Sequence, residues 1–327
     1  MVTMSHWERV QAALDGLPVD HPPVSLWRHF PERDQTAQDL ATVTLAWQRR
    51  FGFDFVKLMP PGDYATIGWG AESEYQGSRG GTRQTTRYPI SEIEDWRTIS
   101  AVPIDQGMNR EVLEAARLVD EGLNGEVPVL QTIFSPLTIA MKLSNGQVIQ
   151  HLRQEPALIH DALRAITAVT RQLTEATLRH GASGIFFATQ AASTDVMTPE
   201  EYVEFGVPYD ILVLEAALTS RFTLVHIHGE HILFDELRTY PTQALNWHDR
   251  RTPPTLAEGQ ARSGRAVVGG IDERAIVRMT PDAAAAQARD AVAELNGRAV
   301  MVAPGCVIPI DTPEANVEAV VRAVRGA

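Results

Sequence analysis

The sequence predicts an α/β fold, a closed (β/α)8 TIM barrel spanning residues 1–327 as a single domain, and three observations carry that reading. Short apolar, β-branched runs alternate with longer helical patterns. Eight such runs can be counted along the chain. No Gly-x-Gly-x-x-Gly follows the first run and no Walker-type loop occurs, so the competing doubly wound open sheet lacks its usual nucleotide signature. Strands that are apolar along their whole length and separated by helices belong to a parallel sheet covered on both faces.

Taken in order, the predicted strands are 23–27, 53–60, 127–134, 184–189, 222–229, 244–247, 266–271 and 299–303. Between the first two, residues 36–51 place Leu40, Val43, Leu45 and Trp47 near helical spacing, which makes them core. Residues 62–86 are glycine-rich with little apolar periodicity and read as a long loop over the barrel mouth. The stretch 144–181 predicts two helices broken around Glu155-Pro156. Thr198 is an expected N-cap, with Pro199 at the first helical position and Glu200 and Glu201 in the first turn. The same grammar recurs at Asp311-Thr312-Pro313-Glu314, ahead of a stripe of Val317, Val320, Val321 and Val324.

Composition narrows the function. The 327 residues are 44% hydrophobic and 21% charged, enough apolar surface for a large core. A net charge of −12 repels phosphate backbones and anionic bilayers, so neither nucleic acid nor a membrane surface is expected as partner. One cysteine forms no internal disulfide, which suits a reducing cytoplasm. The opening Ser5-His6-Trp7-Glu8-Arg9 shows no signal peptide, and no apolar run approaches the roughly 20 residues of a membrane helix. A cytoplasmic location is the expectation, with a small-molecule substrate and a homo-oligomeric state as an open option.

In a barrel the C-terminal strand ends converge on one mouth, and chemistry is sought there. The fifth run ends His226-Ile227-His228, which strand alternation puts on one face. The eighth is followed by the only cysteine, Cys306. Two imidazoles and a thiolate are donors that zinc prefers, and three protein ligands with an open position are the catalytic arrangement. Taken singly, the histidines read equally as core or surface residues and Cys306 as a small buried hydrophobe. His231 reads as a solvent residue or a neighbour of the site.

Around this set, His248 and Asp249 end the sixth run and are the catalytic candidates. Asp249 either orients a metal-bound histidine or acts as base, or else pairs with Arg250 or Arg251. Arg28 either clamps a substrate carboxylate or pairs at the rim, and Gln190 offers an amide to substrate. Asp272 reads as a helix cap. A loop carboxylate such as Glu72 or Glu74 could complete the metal site, although solvation is the plainer reading for both.

Several segments together resemble the uroporphyrinogen decarboxylase superfamily. They are Glu8–Gly16 with Asp20-His21-Pro22-Pro23-Val24, Ser135-Pro136-Leu137-Thr138, Gly181–Phe187, Met197–Tyr209, Val268–Asp272 and Pro304–Val317. The resemblance spans nearly the whole chain and implies a (β/α)8 barrel. It also implies one of two chemistries, cofactor-free decarboxylation of uroporphyrinogen or zinc-dependent methyl transfer involving corrinoids. The decarboxylase pattern is poorly kept. Leu26-Trp27-Arg28-His29-Phe30 retains one arginine, Leu58-Met59-Pro60 lacks the acid, and Lys142 stands at the tyrosine position. The methylcobalamin:coenzyme M methyltransferase-like branch uses His-x-Cys and a later Cys as zinc ligands. Here His226-x-His228 and Cys306 stand in those places, a one-ligand departure that makes the site more cationic. The resemblance therefore implies Zn2+ as cofactor and a corrinoid, on a partner protein, as co-substrate. Uroporphyrinogen decarboxylation and a non-catalytic tetrapyrrole-binding barrel are the alternatives.

Overall fold

The computed structural model describes residues 3–326. Its nine strands are β1 (Val56–Leu58), β2 (Glu72–Glu74), β3 (Gln84–Arg87), β4 (Val129–Phe134), β5 (Gly184–Thr189), β6 (Leu224–Ile227), β7 (Ala244–Trp247), β8 (Ala266–Ile271) and β9 (Val300–Pro304). Seven form one parallel sheet in the order β1-β4-β5-β6-β7-β8-β9, with helices between successive members. Every residue of these seven is buried, as two-sided coverage requires.

The eighth predicted run, residues 23–27, closes the ring without forming a regular strand. Val24 bridges Val302 in parallel, Ser25 N–H donates to Val302 O at 3.1 Å, and Asp54 N–H donates to Val24 O at 2.9 Å. Pro22 and Pro23 have no N–H to offer a ladder, which shortens this stave. The result is a barrel of the (β/α)8 type. The predicted run 53–60 shortens to β1 for the same reason, since Pro60 and Pro61 follow it.

The helices follow the cap chemistry. Thr36 caps Ala37–Phe51 through Asp39 N–H. Thr198 and Glu201 form a reciprocal capping box on Pro199–Phe205. The 144–181 stretch breaks at Glu155 into Val148–Gln154 and Pro156–Arg179. The final helix starts one residue later than its grammar predicts, at Glu314, because the Thr312 hydroxyl donates backwards to Pro309 O instead of accepting from the helix. Its four valines are buried at 0–4% exposure, each contributing roughly 1.5–3 kcal/mol.

Residues 62–86 do cover the mouth. They carry the antiparallel hairpin β2–β3, and Gly81, at φ +73°, lies so close over His29 that an added Cβ would come within 2.6 Å of the His29 Cβ.

Candidate metal centre and substrate cavity

Strand alternation delivers the site. His226 points inward from β6 and His228 follows it two residues on, at the strand's exit. The buried His226 places Nδ1 2.6 Å from Asn246 Oδ1 on β7. The Asn246 amide nitrogen donates to Val268 O and Pro304 O, so its oxygen faces the imidazole. His226 therefore carries its proton on Nδ1, and the buried Nε2 has no protein partner. His248, one residue beyond β7, has Nδ1 2.8 Å from Glu273 Oε1 and Nε2 3.2 Å from His228 Nδ1. Cys306, two residues beyond β9, has Sγ 3.8 Å from the same His228 nitrogen.

His226, His228, His248 and Cys306 thus offer one donor atom each, all within 4.8 Å of one another. A tetrahedral zinc with ordinary Zn–N and Zn–S bonds has ligand–ligand edges of about 3.3–3.7 Å. The 3.2 and 3.8 Å separations lie near that spacing while the cluster as a whole extends to 4.8 Å, and the orphaned Nε2 of His226 supplies a lone pair with nothing else to hold. The donor set fits a divalent metal of zinc type.

Electrostatics agree. Burial, reinforced by the neighbouring imidazoles, holds His226 well below the ordinary histidine range and brings His228 to about 4, so both are neutral at pH 7, as ligands must be. Burial pushes the Cys306 thiol up, so the thiolate needs a cation beside it.

Sequence reasoning placed His226, His228 and Cys306 at one mouth, and the structure brings them together. His248, expected as a catalytic group, joins them as a fourth donor. Asp249 is not brought to the cluster. Both its carboxylate oxygens accept from Gly270 N–H, at 3.0 and 3.1 Å, Arg250 lies 3.7 Å away, and burial raises it to about 7. Alternation turns it outward as His248 turns inward. Glu72 pairs with Arg87 across the exposed hairpin and Glu74 is also exposed, so neither completes the cluster. The carboxylate that touches the site is the buried Glu273, next to the Asp272 that caps the following turn through the N–H groups of Arg274 and Ala275. Sequence reasoning stopped one residue short of it. His231 is exposed and pairs with Asp195.

A cavity of about 190 Å3 opens beside the cluster, lined by His226, His228 and Cys306 and also by Gln190. Arg28 does not line it. Its guanidinium lies over the Phe30 and Trp47 rings, donates to Ile310 O, and pairs with no carboxylate among the described residues. The same cavity contains three groups the sequence analysis left out of the site: Lys57 on β1, His29 and Lys142. Trp27 and Phe186 form an edge-to-face pair on its floor, and the Phe186 ring stacks on His226 at 5.3 Å.

Comparison with known proteins decides the kinship. The family model for uroporphyrinogen decarboxylase (URO-D) matches residues 5–327. The chain belongs to the uroporphyrinogen decarboxylase family. Within that family it is 27% identical over 334 residues to the methylcobamide:CoM methyltransferase MtaA of Methanosarcina barkeri, covering 96% of each chain. The uroporphyrinogen decarboxylase of Tolumonas auensis is also 27% identical, but over 235 residues and 64% of each chain. A methyltransferase structure from Methanosarcina mazei superposes with a TM-score of 0.84 at 24% identity, covering 99% of this chain and 98% of that one, which confirms the barrel. The methylcobamide:CoM methyltransferases align with this chain end to end, and methyl transfer is the enzyme class of this chain. No described helix is long and apolar enough to cross a membrane.

Proposed function

We propose that this chain is a zinc-dependent methyltransferase that moves a methyl group between a corrinoid, carried by a partner protein, and a small acceptor. The observation behind the reading is the four-donor cluster at the mouth, with two of its imidazoles fixed by hydrogen bonds on their far nitrogens. His226, His228, His248 and Cys306 would hold the ion. A bound zinc supplies Lewis acidity, lowering the pKa of an acceptor thiol or water so that a nucleophile exists at neutral pH.

The protein's own contribution is orientation and dryness. Asn246 and Glu273 hold His226 and His248 in the tautomers that aim Nε2 at the cluster, and Glu273 adds a buried negative charge. Phe186 and Trp27 keep water from the acceptor side. Gln190 is positioned to hydrogen-bond the acceptor. In this reading Asp249 braces β8 through Gly270, and Arg28 stiffens the rim outside the substrate contact.

A cavity of about 190 Å3 beside the cluster suits a short acceptor. The full-length relatives are named for transfer to coenzyme M, which makes a short thiol the first acceptor to try. The test is elemental analysis with a methyl-transfer assay, using methylcobalamin as donor and 2-mercaptoethanesulfonate as acceptor. About one zinc per chain and zinc-dependent demethylation of the corrinoid are expected. Full activity in metal-free protein, or conversion of uroporphyrinogen to coproporphyrinogen instead, would overturn the reading.

A further inference from the structure

We propose that Lys57 and Lys142 form an anion-binding subsite in the cavity beside the metal cluster, which takes the carboxylate or sulfonate head of a short acceptor. The subsite rests on the methyl-transfer reading for the role of the cavity and on charge balance for what enters it.

The balance is one-sided. Lys57 is 7% exposed, with Nζ 4.2 Å from the centre of the Phe186 ring, 5.7 Å from that of Trp27 and 2.7 Å from Met59 Sδ. Lys142 Nζ lies 4.8 Å from the Phe134 ring. Neither lysine has a carboxylate within ion-pair distance among the described residues, no carboxylate lines the cavity, and the ionisable thiol that does line it, Cys306, belongs to the metal cluster. Burial lowers the basicity of Lys142, and Asp63, which favours its charged form from a distance, accepts a hydrogen bond from Ser73 and does not pair with the lysine. Both lysines line one cavity together with the buried His29. The His29 Nδ1 is buried without a partner.

A buried ammonium among aromatic faces with no carboxylate partner is costly, and burial accordingly pulls Lys57 down to about 7 and lowers Lys142, so a ligand that favours their charged forms is an anion. An incoming oxyacid restores neutrality, and it can receive hydrogen bonds from both lysines and from an imidazole N–H of His29. A neutral or cationic acceptor of the same length does neither. The small volume limits the remainder of the molecule to a short chain, with its far end free to reach the cluster.

The test uses full-length, chelator-treated protein and probes that carry no thiol, so it reads the subsite apart from metal and catalysis. Isothermal titration compares ethanesulfonate and propionate with ethanol and ethylamine, on wild type, Lys57→Met and Lys142→Met. Wild type is expected to bind at least one of the two anions, and the tighter of them identifies the head group. The alcohol and the amine are expected to give no heat. Each lysine variant should weaken anion binding at least tenfold, with a melting temperature equal to or above wild type, because an uncompensated buried charge has been removed. No anion binding by wild type, affinity equal to wild type in either variant, or ethylamine binding as tightly as propionate would overturn the proposal. A variant that fails to fold is replaced by the other, since each lysine is required separately. Failure here leaves the metal-dependent methyl transfer standing, and loss of that reading leaves the anion titration unaffected.

Discussion

Removing the Glu273 carboxylate should weaken the metal site without dismantling it. Glu273 is 3% exposed, and its Oε1 accepts from His248 Nδ1 at 2.8 Å, which fixes the proton on Nδ1 and frees Nε2 for the cluster. Partners of this kind are worth about 10–100-fold in metal affinity, which converts to about 1.4–2.7 kcal/mol. Glu273→Gln keeps an acceptor oxygen and loses only the charge, so it should fall near the tenfold end. Glu273→Ala leaves the His248 N–H buried and unsatisfied, which itself costs about 1–3 kcal/mol, and should approach 100-fold. Competition against a zinc chelator at pH 7.5 measures both, with circular dichroism confirming the fold. Zinc affinity within twofold of wild type in both variants would refute the assignment of Glu273 to the site.

Three further outcomes follow from the same geometry. Chelation should expose a reactive thiol: alkylation of Cys306 should run at least tenfold faster in metal-free than in zinc-loaded protein, whereas equal rates in the two samples would mark an inert buried cysteine. Gly305→Ala should lower zinc content and melting temperature together, because the new Cβ would lie 2.9 Å from both His248 Cα and Trp247 O, and 3.0 Å from Glu273 Oε2; normal zinc loading in that variant would contradict the packing described. Asp210 sits buried with Oδ2 accepting from Tyr202 and Tyr240, and burial raises its pKa to about 7 against an ordinary 3.8. The folded state therefore binds the extra proton between about pH 4 and 7, and this group's stabilising contribution is present at low pH and lost as pH rises through 7. Asp210→Asn should gain stability over wild type across that window, on the order of a few kcal/mol by pH 7.5. Parallel melting curves for the two proteins from pH 4 to 7.5 would refute it.

The barrel was legible because its determinants are local. Apolar runs, turn prolines and N-caps such as Thr198 act within a few residues, and the sheet retains seven of the eight predicted runs in the predicted order, the run 23–27 contributing only a bridge. His226, His228 and Cys306 were legible because alternation and the convergence of strand ends are properties of the fold class itself. What the sequence could not show was which side chains share a buried volume. Glu273 and His248 lie 25 positions apart, and Lys57 and Cys306 lie on opposite ends of the chain. The sense in which a residue just past a strand end turns is set by packing against neighbouring strands. That packing sent His248 inward as a fourth donor, Asp249 outward onto Gly270, and Arg28 onto Trp47. The sequence by itself determined the α/β barrel and placed three of the four candidate donors at one mouth. Only the tertiary structure decided the fourth donor, its carboxylate partner and the two lysines without counterions, because burial and charge pairing depend on contacts between distant segments, which no local pattern encodes.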